Sequence, residues 1–146
     1  MLYFDTSFIT PIFRKKATST SIEHFLQQQT AGELAISHWT RVEFCSVLAR
    51  DVRMGVIEPQ AAIDLDAQFE MTVARSFIVL LPDRDDFDLC KRYLRRFDTA
   101  LRVGDALHLA IASNRGARTF YTLDRKLLRA GRLLGLPVAA GIRGRE

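Results

Sequence analysis

Cysteine is scarce in this chain. The two present, Cys45 and Cys90, lie far apart in 146 residues, with no Cys-x-x-Cys pair and no Cys/His spacing. That excludes a disulfide framework and a zinc-finger-like site, and leaves an expectation of two reduced, buried thiols, Cys45 on an apolar helix face. Long apolar runs are missing as well: nothing approaches the ~20 residues needed to span a bilayer. The first residues carry no basic region ahead of an apolar stretch, and Asp5 interrupts them at once, so no signal peptide and a cytoplasmic location are expected. There is no glycine-rich phosphate loop with its lysine, which removes nucleoside-triphosphate hydrolysis from consideration. Internal repeats and low-complexity linkers are absent, and the length suits one domain, residues 1–146.

Apolar residues make up 48% of the chain, enough for a packed core and too much for a disordered one. The net charge of +4 and a pI near 9.4 mildly favour a polyanionic partner. Short apolar segments at residues 2–4, 34–37, 77–81 and 119–122 read as strands, with a fifth at 137–140. Between them lie helical patterns at residues 8–13 (broken at Pro11), 21–29, 40–54, 58–75, 86–97, 105–114 and 124–134. Residues 141–146 read as a frayed tail. Strands alternating with helices imply an α/β sandwich whose sheet is mostly parallel, because each crossover is helical.

Four carboxylates stand out by position. Asp5 follows the first strand, Glu43 lies early in a helix, Asp105 opens the nearly all-apolar run 105–112, and Asp124 follows the fourth strand. In a parallel sheet, such handovers share the edge where the strands end and ligands bind. Each acid also has a structural explanation. Asp5, Asp105 and Asp124 suit helix N-caps, and Glu43 stands three residues after Thr40, the spacing of a capping box. Taken together, four acids on one edge repel each other unless a hard divalent cation such as Mg²⁺ lies among them. That arrangement suits metal-assisted attack of water on a phosphodiester.

The strings Leu2-Tyr3-Phe4-Asp5-Thr6-Ser7, Gly104-Asp105-Ala106-Leu107-His108-Leu109-Ala110 and Thr122-Leu123-Asp124-Arg125, with Glu43 early in a helix, resemble the motifs of PIN domains, and more closely those of VapC-type toxins of type II toxin–antitoxin pairs. The resemblance implies a PIN-like three-layer α/β/α sandwich with a sheet of four to five strands. It also implies an endoribonuclease dependent on Mg²⁺ or Mn²⁺. Asp5 and Asp105 would bind the metal directly, Glu43 and Asp124 directly or through water, with Thr122 in support. A cognate antitoxin and homodimerisation are implied too. Two other readings compete: a non-catalytic RNA-binding or regulatory subunit whose acids are caps, and a phosphatase with Asp5 as nucleophile. The latter expects a second acid where Ser7 stands.

Ser7 is favoured over Thr6 for a supporting role, though both hydroxyls suit a simple turn cap. His108, three residues after Asp105, reads as a packing or hydrogen-bonding histidine rather than a base. Trp39 reads as core or interface. Arg14, Lys15, Lys16, Arg102 and Arg125 are candidates for gripping an RNA backbone, or are solvated surface. The apolar stretch 65–73 could supply an interface.

Overall fold

The computed structural model describes residues 1–142. Of the tail read as frayed, residues 143–146 lie outside the described ones. Five short strands, β1 (Leu2–Phe4), β2 (Leu34–Ser37), β3 (Ile78–Leu80), β4 (Thr119–Tyr121) and β5 (Val138–Ala139), form one wholly parallel sheet in the order β3-β2-β1-β4-β5. Among the described residues, seven helices flank it: α1 (Thr6–Phe13), α2 (Ser19–Gln27), α3 (His38–Arg53), α4 (Pro59–Ser76), α5 (Arg84–Leu94), α6 (Val103–Asn114) and α7 (Arg125–Leu133). A short 3-10 turn, Phe97–Thr99, lies between α5 and α6.

The alternation of side chains along β1 divides the core in two. Leu2 and Phe4 point into one cluster with Phe8, Ile22, Ile36, Phe44 and Phe69. Tyr3 points the other way, towards Leu109, Ile111, Phe120 and Leu127. All three residues of β1 are buried, as befits the central strand of a sheet covered on both faces. Helices α1 to α4 supply one layer, and α5 to α7 the other. Helix α6 is buried along most of its length between the sheet and α5, which explains its uniformly apolar sequence. Fully buried Asp86 fastens α5 to the end of α6. It accepts from Asn114 Nδ2 (2.8 Å) and from Arg115 at 3.2 Å, besides the backbone N–H of Asp83.

The chain builds β1, β2 and β3 outward on one side, then crosses to place β4 and β5 on the other. The helices that follow β1 and β4 therefore leave on opposite faces. A crevice opens between the carboxyl ends of these two strands, the switch point where ligands bind in such sheets.

Several boundaries differ from expectation for identifiable reasons. Pro11 does not break α1. It removes one backbone donor, while Phe8 and Ile9 drive the helix into the core and Thr10 Oγ1 donates to Thr6 O at 2.6 Å. Helix α5 starts earlier than expected because Asp83, not Asp86, is the N-cap, in a reciprocal capping box with Asp86. Helix α6 begins at Val103, two residues before Asp105. Cys90 is buried but Cys45 is exposed, because the inward stripe of α3 runs through Thr40, Phe44 and Leu48 instead. On α4, Phe69 and Val73 face the core, while Ile63 and Met71 are exposed.

Candidate active site

Asp5, Glu43, Asp105 and Asp124 line one cleft of about 570 Å³, at the crevice the topology creates. Asp5 ends β1, and its backbone N–H reaches Tyr121 O on neighbouring β4 at 3.1 Å. Its side chain caps α1, Oδ1 accepting from Phe8 N (3.0 Å) and Ser7 Oγ (2.8 Å). Thr122 Oγ1 donates to Oδ2 at 2.6 Å. Both oxygens are thereby aimed, and the residue is 3% exposed. Burial pushes the Asp5 carboxyl up, opposed by the charge of His108 and by these hydrogen bonds.

Ser7 and Thr122 form a bracket between the two strand ends. Their hydroxyls lie 3.1 Å apart, Ser7 Oγ accepts from Leu123 N (3.0 Å), and Thr122 Oγ1 accepts from Asp124 N (3.0 Å). Asp124 in turn caps α7, Oδ1 accepting from Lys126 N (2.8 Å) and Leu127 N (3.2 Å). The capping role expected of Asp5 and Asp124 is therefore real, and each still lines the cleft.

Among the described residues, Glu43 and Asp105 cap no helix. The capping box of α3 belongs to Ser37 and Thr40, because the helix starts at His38 and Thr40 occupies its third position. Glu43 is committed to tertiary contacts instead: Oε1 accepts from Thr6 Oγ1 at 2.6 Å and from His108 Nε2. Burial pushes the Glu43 carboxyl up, but the bond and charge of His108, with help from Thr6, hold it below the ordinary range. His108 is itself buried, its Nδ1 2.7 Å from Tyr3 Oη, which donates to Ser37 Oγ at 2.8 Å. The histidine bridges Tyr3 of the sheet to Glu43 and itself lines the cleft.

Asp105 stands in the first turn of α6, half-buried, and among the described residues no hydrogen bond reaches its carboxylate. Burial and the charges of Asp124, Asp5 and Glu43 push its pKa up to about 6, against a partial opposing effect of His108. Gly104 beside it leaves room for Glu43. A Cβ there would stand 2.9 Å from Glu43 Oε2 and 3.4 Å from the Trp39 ring. Trp39 packs on the α5–α7 side of the core, its Nε1 buried and, among the described residues, without a partner.

Among the described residues, no three His, Cys, Asp or Glu side chains are close enough to enclose a metal ion by themselves. The donor set nonetheless fits a hard, hydrated cation such as Mg²⁺, which takes one or two carboxylates and keeps several waters. Asp105 is without a hydrogen-bonding partner and destabilised by like charges, the electrostatic condition that a cation relieves.

The basic candidates separate. Lys16 lines the acid cleft, and Arg102 and Arg125 line an adjoining groove. Arg14 does not line the acid cleft: it is held by Asp51, at 3.0 and 3.1 Å, beside Lys15 in an adjoining hollow. Ser46 and Arg50, which the sequence reading passed over, also line the cleft. Their signal was present, since residues 43, 46 and 50 share one face of a helix.

A model of the PIN domain family matches residues 2–133. No curated protein matches the sequence. Among solved structures, the chain is similar to the Mycobacterium tuberculosis toxin VapC20, described as cleaving the sarcin-ricin loop, at 19% identity over 90% of this chain and 95% of that one, TM-score 0.71. It is similar to VapBC-1 of nontypeable Haemophilus influenzae, at 16% identity over 97% and 98%, TM-score 0.70. It is also similar to a toxin–antitoxin complex of Klebsiella pneumoniae, at 18% identity over 98% and 99%, TM-score 0.68. These likenesses establish a shared fold, and with the family model matching from β1 to the end of α7, the chain belongs to the PIN domain family.

Proposed function

We propose that this protein is a Mg²⁺- or Mn²⁺-dependent endoribonuclease, the toxin of a type II pair, silenced by a cognate antitoxin and working as a homodimer. The observation that carries the catalytic part is Asp105: a half-buried carboxylate without a hydrogen-bonding partner, its pKa pushed up to about 6 in a cleft shared with three other acids. Family membership supports nuclease chemistry, and the toxin and toxin–antitoxin relatives support the biological role.

In this reading Asp5 and Asp105 hold the cation, with Glu43 and Asp124 binding it directly or through water. The bound ion would supply an attacking water at neutral pH and neutralise charge on the phosphodiester. The chain's own groups do the rest. Thr122, Ser7 and the Phe8 N–H fix both oxygens of Asp5, so the acid is positioned before any ligand arrives. Thr6 and His108 hold Glu43 from the other wall. Lys16 at the rim supplies positive charge for the RNA backbone.

The competing readings fare less well. A phosphatase with Asp5 as nucleophile expects a second acid two residues on, and Ser7 stands there, its hydroxyl donating to Asp5 Oδ1 at 2.8 Å. A non-catalytic subunit accounts for Asp5 and Asp124 as caps but not for Glu43 and Asp105, which cap no helix among the described residues. The test is RNA cleavage by Asp5→Asn and Asp105→Asn. Each variant should keep the native circular dichroism and lose cleavage; full activity in both would overturn the assignment.

A further inference from the structure

The acid cleft adjoins two further hollows. One is lined by Arg14, Lys15 and Lys16 and shares Thr10, Lys16, Val47 and Arg50 with the cleft. The other is a larger groove, of about 960 Å³, lined by Arg102, Arg125 and Lys126. That groove shares Glu43, Ser46, Asp105 and Asp124 with the cleft, and again Arg50. The cleft carries the acids, and both hollows that adjoin it carry cations. Among the described residues, Arg50 alone lines all three.

Arg50 is also free to act. Its side chain is 60% exposed, and its contact with Asp51 is long, 3.8 Å, while Arg14 holds the same carboxylate at 3.0 Å. Asp51 therefore does not need Arg50. Seven residues after Glu43, Arg50 lies two turns further along the same face of α3.

Resting on the proposed nuclease reading, we infer that Arg50 is a positioning residue, gripping a backbone phosphate of the RNA next to the scissile one. It stands where the acid cleft meets both neighbouring hollows. Asp5 is recessed at 3% exposure, so the reacting phosphodiester has to descend into the cleft, and a cation at the rim is placed for the phosphate beside it. Arginine suits the task because its planar fork reads a phosphate in two contacts.

The test measures binding and turnover separately. A fluorescently labelled 20-nucleotide single-stranded RNA is titrated with full-length wild-type, Arg50→Ala and Arg50→Lys protein in EDTA, over a series of salt concentrations. Cleavage of the same RNA is then followed with Mg²⁺. Arg50→Ala should weaken binding by five- to tenfold and lower the slope of log affinity against log salt by about 0.7, one single-strand phosphate contact. Its KM should rise more than its kcat falls, and Arg50→Lys should recover most of the affinity. Melting temperature should not move, which separates this role from a structural one. RNA cleavage with affinity and salt slope unchanged in Arg50→Ala would overturn the inference and leave the nuclease reading standing. A wild-type protein that neither binds nor cuts RNA would overturn both.

Discussion

Replacing Asp105 by asparagine should make the metal-free protein more stable. The folded carboxyl has a pKa of about 6, raised chiefly by burial and then by Asp124 and Asp5, against 3.8 for a free aspartate. For an acid shifted upward, the stabilising contribution is complete below the unfolded pKa and disappears as pH rises through the folded one. At pH 7.5 the ionised group therefore works against folding. A shift of about two units corresponds to at most ~3 kcal/mol. Asp105 is only half-buried, and solvent and salt screen it, so ~1 kcal/mol is the realistic gain. For a chain of this length that amounts to a rise of about 2–4 °C in Tm. The assay is thermal unfolding of both proteins in EDTA at pH 7.5 and pH 4.5. The variant should melt higher at pH 7.5, and the difference should shrink at pH 4.5, where folded wild-type Asp105 is neutral. Saturating Mg²⁺ should reverse the order, because ligand at a hundredfold excess over its Kd stabilises the wild type by ~2.7 kcal/mol. A variant no more stable than wild type at pH 7.5 in EDTA would refute the electrostatic crowding on which the site rests.

Other changes test individual supports. Thr122→Val removes the donor to buried Asp5 Oδ2 and the acceptor for Asp124 N at nearly constant volume; the expected cost in urea unfolding is about 1–3 kcal/mol, with cleavage reduced at least tenfold. Gly104→Ala puts a methyl 2.9 Å from Glu43 Oε2, so cleavage should fall while stability holds or rises by up to ~1 kcal/mol from improved helix propensity. Arg115→Ala strips fully buried Asp86 of its ion pair, and should cost about 3 kcal/mol while leaving cleavage at low temperature intact, since neither residue lines the cleft.

The element order was legible because the local signals agree with one another. Apolar runs mark the strands, Gly55 and Gly135, both at positive φ, follow the ends of α3 and α7, and Pro59 opens α4. The acids at the switch point were legible for the same reason: in a parallel sheet, a residue just after a strand has its place fixed by topology. What sequence does not carry is pairing across long separations. Glu43 meets His108 65 positions away, and Arg14 meets Asp51 37 away. Neither pairing leaves a trace in local spacing, so from sequence Glu43 suits a capping box as well as the acid site, and Arg14 reads as a candidate for the RNA backbone. Cys45 was misread for a smaller reason. The neighbours Phe44 and Cys45 are both apolar, and only the helix's angle to the core decides which of them is covered.

The central claim is that the four acids serve a metal-dependent cut in RNA. Its most direct test is incubation of purified, antitoxin-free protein with total RNA in Mg²⁺, in Mn²⁺ and in EDTA, with Asp105→Asn alongside. The account predicts discrete cuts that need metal and vanish in the variant. Cuts of equal strength in EDTA, or in Asp105→Asn, would contradict it, as would folded wild-type protein that leaves every RNA in the pool intact.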